Sequence, residues 1–169
     1  MKGVSLDSYY IFSGGFTMDE TKKFPNFQLM GYVPEKQTEE EFSLASFKGK
    51  WVIFYFYPRD NTPGCTKEAI AFTDKLEEIR SKGVEVVGVS TQSLESHKKF
   101  AQKYNLKHIL LSDNSTLSKN LGILGLTGTA FRTTYLVNPN GYIIQNWKKV
   151  KVANHIKEVL EEINEKCNC

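Results

Sequence analysis

Trp51-Val52-Ile53-Phe54-Tyr55-Phe56-Tyr57 runs directly into Pro58-Arg59-Asp60-Asn61-Thr62-Pro63-Gly64-Cys65-Thr66-Lys67-Glu68, and the junction of these two stretches decides the fold. The first stretch is apolar, aromatic and β-branched and too short for a helix of its own, so it reads as a central strand. After the junction, Ala69, Phe72, Leu76 and Ile79 recur at helical spacing until Lys82-Gly83 closes the segment. Thr62 is placed to cap that helix, Pro63 suits its first position, and Gly64 leaves room for a small substrate to reach Cys65. One cysteine is thereby delivered to the first turn of a helix. Backbone amides and the helix dipole favour an anion there, and the candidate anion is the Cys65 thiolate.

Outward from this junction the strand and helix signals keep alternating. Val84-Glu85-Val86-Val87-Gly88-Val89-Ser90 reads as a second strand, and Ser93 to about Tyr104 as a helix carrying Leu94, His97, Phe100, Ala101 and Tyr104. His108-Ile109-Leu110-Leu111 is a short strand. Asp113-Asn114-Ser115 can cap a short helix through Leu117 and Leu121, which Gly122 and Gly125 end. Thr133-Thr134-Tyr135-Leu136-Val137 and Tyr142-Ile143-Ile144-Gln145-Asn146-Trp147 flank Asn138-Pro139-Asn140-Gly141, a strong hairpin signal. A last helix from about Val152 to Lys166 sets Ile156, Val159, Leu160 and Ile163 on one face. This order predicts an α/β domain with a thioredoxin-like fold, a mixed central sheet flanked by helices on both faces.

With 169 residues, 40% of them hydrophobic, the chain can bury one substantial core. The expected division is an N-terminal extension at residues 1–23 and one domain over 24–169. Tyr9, Tyr10, Ile11, Phe12 and Phe16 make the extension too apolar for a free tail, so it is expected to pack on the domain or a partner. The net charge of +3 is small and the lysines are scattered among glutamates, which gives no footprint for nucleic acid. No apolar run approaches the roughly 20 residues that cross a bilayer. Asp7 stands where a secretory apolar region would begin, so a cytoplasmic location is expected. Three cysteines, two of them at the very end, form no disulfide framework, and a reducing compartment suits a catalytic thiol.

Taken alone, Cys65 reads as a buried, inert small hydrophobe. A polar Asn-Thr-Pro-Gly turn is no core site, however, and Pro58, Thr62 and Cys65 fall at the spacing Pro-x-x-x-Thr-x-x-Cys. At these residues the chain resembles the peroxiredoxins, and within them the bacterioferritin comigratory protein or Q-type group, where this octapeptide surrounds the peroxide-attacking cysteine. The resemblance runs from about Phe24-Pro25-Asn26-Phe27 to Val159-Leu160. It passes through Ser43-Leu44-Ala45-Ser46-Phe47-Lys48-Gly49-Lys50, Gly88-Val89-Ser90, Ser96-His97-Lys98-Lys99-Phe100, Leu110-Leu111-Ser112-Asp113 and Arg132-Thr133-Thr134-Tyr135-Leu136-Val137.

The resemblance implies a thiol-dependent peroxidase that reduces hydrogen peroxide and organic hydroperoxides through a sulfenic acid at Cys65. It implies no cofactor, no metal, and reduction by a thioredoxin-like or other small thiol donor. A monomer or homodimer is expected. Lowering a thiol pKa from about 8.5 to about 6 raises the thiolate fraction at neutral pH from roughly 3% to roughly 90%. Nucleophilicity falls by about tenfold over the same shift and cancels most of that gain. The larger effect must come from donors that bind the stretched O–O bond. By resemblance these are the Thr62 hydroxyl, the Gly64-Cys65 amides and Arg132. Pro58, lacking an N–H, would shape and shield the pocket, and Glu68 would hold Arg132 by a bidentate pair. The alternatives are a surface ion pair for Arg132, a simple cap for Thr62 and a dipole-matched first-turn acid for Glu68.

The group often carries a resolving cysteine five residues after the attacking one, and here that position is Ile70. Cys167 and Cys169 are the remaining thiols, and a mobile terminus could bring one to oxidised Cys65. Incidental thiols on a solvated tail, or half of a zinc ligand set, are the alternatives. A disulfide reductase of the same fold is excluded, because residue 62 is threonine and no Cys-x-x-Cys occurs. A peroxide-responsive sensor or chaperone-like protein using Cys65 without turnover is the alternative from another class.

Overall fold

The computed structural model describes residues 22–167, so the expectations for residues 1–21 and for Cys169 lie outside the described residues. The chain forms β1 (Gln28–Val33), β2 (Thr38–Ser43), a 3₁₀ turn (Leu44–Phe47), β3 (Trp51–Phe56), α1 (Pro63–Asp74) and α2 (Leu76–Arg80). It continues through β4 (Val84–Ser90), α3 (Leu94–Tyr104), β5 (Ile109–Ser112), α4 (Thr116–Asn120), β6 (Thr133–Val137), β7 (Ile143–Lys148) and α5 (Val152–Lys166). Among the described residues the strands make one seven-stranded sheet, ordered β2-β1-β5-β4-β3-β6-β7. β3, β4 and β5 are parallel; β1 and β2 continue antiparallel from one side, β6 and β7 from the other. This is the mixed sheet of a thioredoxin-like fold.

β3 lies near the middle of the sheet because its residues can be buried on both faces. Side chains alternate across a strand, so Ile53 and Tyr55 enter one apolar cluster while Val52, Phe54 and Phe56 enter the other. The first cluster packs under α1, α2, α3 and α5, through Phe72, Ile79, Phe100, Val159 and Ile163. The second is covered by α4, the 3₁₀ turn and Phe24, whose ring stacks on Phe54 at 4.5 Å. On the first face Tyr55 stacks on Phe72 at 4.6 Å, a contact of about 0.5–1.5 kcal/mol beyond its buried area. Gly88 on the neighbouring strand is required by that ring, since a Cβ there would lie 2.9 Å from the Tyr55 hydroxyl.

Two features depart from the expected elements. The β1–β2 hairpin was absent from the periodic signals, and the helix expected from Pro63 to Lys82 is broken at Lys75, which takes φ −102 and ψ 6. The terminal hairpin forms as expected, with the Asn138 side-chain oxygen accepting from the Asn140 and Tyr142 amides at 3.0 and 2.9 Å. Pairing with the sheet already begins at Lys22 and Lys23, whose neighbours across the turn are Ile143 and Tyr142.

Candidate active site

The end of β3, the start of α1 and the start of β6 meet at one point. Antiparallel pairing sets Phe56 opposite Thr133, so Arg132, one residue before β6, stands beside the loop that leaves β3. Thr62 is the N-cap of α1 and Pro63 fills its first position. Cys65 follows in the first turn, 1% exposed.

Arg132 bridges the two acidic groups of the site. Its Nη2 donates to Cys65 Sγ at 3.3 Å, and its Nη1 donates to Glu68 Oε1 at 2.7 Å. Glu68 lies one helical turn after Cys65 and is 2% exposed at its side chain. The guanidinium contact is therefore monodentate on the carboxylate, its second arm reaching the sulfur, where sequence had suggested a bidentate pair. Glu68 Oε2 is left buried without a hydrogen-bond partner. Burial raises the Glu68 pKa to about 7 against the opposing pull of Arg132. Desolvation lowers the Arg132 pKa, but the charges of Glu68 and Cys65 outweigh it and leave it raised, so the guanidinium is a fixed cation at the sulfur.

Gly64 also bears on the guanidinium. A Cβ on residue 64 would sit 3.2 Å from Arg132 Nη2, so the glycine opens the way for the guanidinium. Thr62 also differs, because its side chain makes no cap; the hydroxyl donates to the Arg59 carbonyl at 3.0 Å. Its oxygen lone pairs remain available to accept. Pro58 is half-buried in the same loop.

Around this centre lies a buried polar layer that sequence reading passed over. Asp60 accepts from the Tyr57 hydroxyl at 2.7 Å and the Ser96 hydroxyl at 2.7 Å, and its Oδ2 lies 2.8 Å from His97 Nδ1. Tyr55, whose pKa is raised by burial and then by Glu68 and Cys65, stays a neutral phenol 2.6 Å from His108 Nε2. His155 Nε2 pairs with the Thr134 hydroxyl at 2.8 Å; burial and then Arg132 lower its pKa to about 4. His97 had registered only as a helix-face residue, and a histidine among Leu94, Phe100 and Ala101 was the available signal.

Cys167 is not on a solvated tail. It is 1% exposed and belongs to the same apolar cluster as Cys65, because Val159, Ile163 and Cys167 repeat every fourth residue and continue the buried face of α5. Ile70 lies on α1 with 36% exposure, and Cys169 is outside the described residues. Among the described residues no group of three or more His, Cys, Asp or Glu is arranged to hold a metal ion, and no helix is long and apolar enough to cross a membrane.

This geometry has counterparts in known proteins. The sequence matches the AhpC/TSA family over residues 21–146. It is 35% identical over 161 residues to the peroxiredoxin Bcp of Bacillus subtilis (strain 168), covering 88% of this chain and 97% of that protein. The fold superposes on peroxiredoxin Q of Xanthomonas campestris with a TM-score of 0.79 and 31% identity, over 89% of this chain and 99% of the other. The bacterioferritin comigratory protein of the same organism, studied for its alkyl peroxide reduction activity, gives a TM-score of 0.76 and 32% identity over 83% and 92% of the two chains. A thiol at a helix start under a guanidinium, on a sheet shared with these proteins, leaves one assignment: the chain belongs to the AhpC/TSA family and, within it, to the Bcp and Q-type peroxiredoxins, which are thiol-dependent peroxidases.

Proposed function

We propose that Cys65 attacks the peroxide as a thiolate while Arg132, Thr62 and the first-turn amides of α1 hold the breaking O–O bond. The observation that carries this reading is the 3.3 Å contact from Arg132 Nη2 to Cys65 Sγ, with Glu68 fixing the other arm of the fork. An S–O bond forms as the O–O bond breaks, and charge builds on the departing oxygen, which takes a proton to leave as water or an alcohol. A fixed cation and backbone donors favour that charge more than they favour bound peroxide. Thr62, its own proton held by Arg59, accepts from the peroxide hydroxyl and orients it. Pro58 shields one side of the loop.

The substrates of this proposal are hydrogen peroxide and organic hydroperoxides, the latter supported by the activity named for the Xanthomonas relative. The sulfenic acid condenses with a thiol, releasing water, and a second thiol then displaces Cys65 as the donor becomes a disulfide. A thioredoxin-like or other small thiol donor in the cytoplasm, acting on a monomer or homodimer, completes the reading. Cys65→Ser should abolish peroxide consumption while the far-ultraviolet circular dichroism is unchanged. Near wild-type consumption by that variant would overturn the assignment. Multiple turnovers with protein below the peroxide concentration separate an enzyme from a sensor that reacts once.

A further inference from the structure

Asp60 lies in the loop between β3 and α1, two residues before Thr62, and is buried with His97 of α3, which is 0% exposed. Three oxygen atoms face the His97 ring. Asp60 Oδ2 at 2.8 Å and the Tyr57 hydroxyl at 3.5 Å lie against Nδ1, and the Leu111 carbonyl lies 2.8 Å from Nε2. A backbone carbonyl only accepts, so Nε2 carries a proton. Burial raises the Asp60 carboxyl, but its contacts with His97, Tyr57 and Ser96 outweigh burial and keep it ionised, so it has no proton to give Nδ1. Both ring nitrogens therefore donate.

We propose that His97 is a buried imidazolium that, through Asp60, positions the Pro58–Thr62 loop for the peroxide step. The proposal rests on the peroxidase reading above. Burial pushes the Asp60 carboxyl up, but His97 and the Tyr57 and Ser96 bonds outweigh it and hold the group below its ordinary range. Burial, then the Asp60 charge, raises the Tyr57 phenol, which stays neutral. On the solvent side, Glu95 and Lys99 of α3 line the crevice beside Asp60. The same helix holds the next loop residue, since the Asn61 side-chain oxygen accepts from the Tyr104 hydroxyl at 2.7 Å and Lys103 Nζ at 3.4 Å. Asn61 itself takes φ +58, a left-handed conformation that these bonds hold in place. Two consecutive residues of the loop are thus fixed to α3, and the oxygen of Thr62 is set relative to Cys65 by where that helix sits. Removing the cation strands a buried carboxylate inside the loop, which must then move toward water.

Two measurements test this. The first reads the ring in wild-type protein labelled with ¹⁵N-histidine, at about pH 8, above the ordinary imidazole range. His108 and His155, which burial lowers to about 3 and about 4, serve as singly protonated standards. Both His97 nitrogens should be protonated, and one bare nitrogen overturns the proposal whatever the peroxidase activity. The second compares single-turnover rates of peroxide oxidation and of sulfenic acid reduction by a small dithiol. His97→Ala should slow oxidation by about tenfold or more and leave reduction unchanged or faster. An equal fall in both steps, as a merely structural role would give, or no fall, refutes positioning. Asp60→Asn covers the case in which His97→Ala fails to fold, because its amide can donate to a singly protonated ring. That variant should show one bare His97 nitrogen. A ring still doubly protonated there refutes the pairing.

Discussion

Replacing Glu68 by Gln probes how burial and pairing divide control of the acid beside Arg132. Glu68 is 2% exposed, shares one oxygen with Arg132 at 2.7 Å, and leaves the other buried without a partner. Burial, against the pull of Arg132, raises its pKa from 4.5 to about 7. The folded chain therefore binds this proton more tightly than the unfolded chain does. The stabilisation it contributes is fully present below about pH 4.5 and is lost as pH rises through about 7. At about 1.4 kcal/mol per unit the span is about 3 kcal/mol, most of which falls between roughly pH 5 and pH 8.5. Gln keeps an acceptor for Nη1 and does not titrate. Urea unfolding of Cys65→Ser and Cys65→Ser/Glu68→Gln across that range removes the thiol from the comparison. The protein with Glu68 should lose roughly 2–3 kcal/mol relative to the Gln variant as pH rises, about 1 M in urea midpoint. A difference that is flat with pH, or slopes the other way, refutes the dominance of burial over pairing.

Three further outcomes are expected. Arg132→Lys keeps a charge but cannot bridge Glu68 and Cys65 with one planar group, so stopped-flow oxidation should slow by about 100-fold even where the thiol is fully ionised. Equal rates under those conditions remove Arg132 from the peroxide step. Gly64→Ala places a Cβ 3.2 Å from Arg132 Nη2 and should slow oxidation by about threefold or more without lowering the melting temperature, whereas an unchanged rate means that the guanidinium position is not critical. After one equivalent of peroxide, peptide mass spectrometry should find Cys65 in a disulfide with Cys167 or Cys169, and replacing both by Ser should raise sulfinic acid formation. Equal resistance to overoxidation in that double variant makes the terminal thiols bystanders.

The strands and helices that bury one clear face were legible from the sequence, and those set by context were not. β3 announced itself because Trp51 to Phe56 is apolar without interruption. β2 did not, since Thr38-Glu39-Glu40-Glu41-Phe42-Ser43 is an edge strand whose charged residues face water and carry little strand propensity. The break at Lys75 was hidden because Phe72, Leu76 and Ile79 keep helical spacing across it, and neither Gly nor Pro marks it. At the site, Cys65, Thr62 and Arg132 could be placed from motif and register. What Gly64 makes room for depends on a side chain 68 positions away, and no local pattern records that. The Asp60–His97 contact spans 37 positions and was invisible for the same reason.

Cys65, 1% exposed, is buried too deeply for the surface of another protein to meet its sulfur. If the reductant is another protein, its thiol can meet this sulfur only when the first turn of α1 opens, which would break the 2.8 Å bond from the Thr66 amide to the Thr62 carbonyl and the grip of Arg132 on the sulfur. The recycling rate then scales with the small fraction of time that turn spends open, while the oxidation rate scales with the fraction it spends closed. Local stability acts with opposite sign on the two halves of the cycle. Substitutions that tighten this turn should leave the oxidised form accumulating under steady peroxide, and those that loosen it should leave the reduced form accumulating.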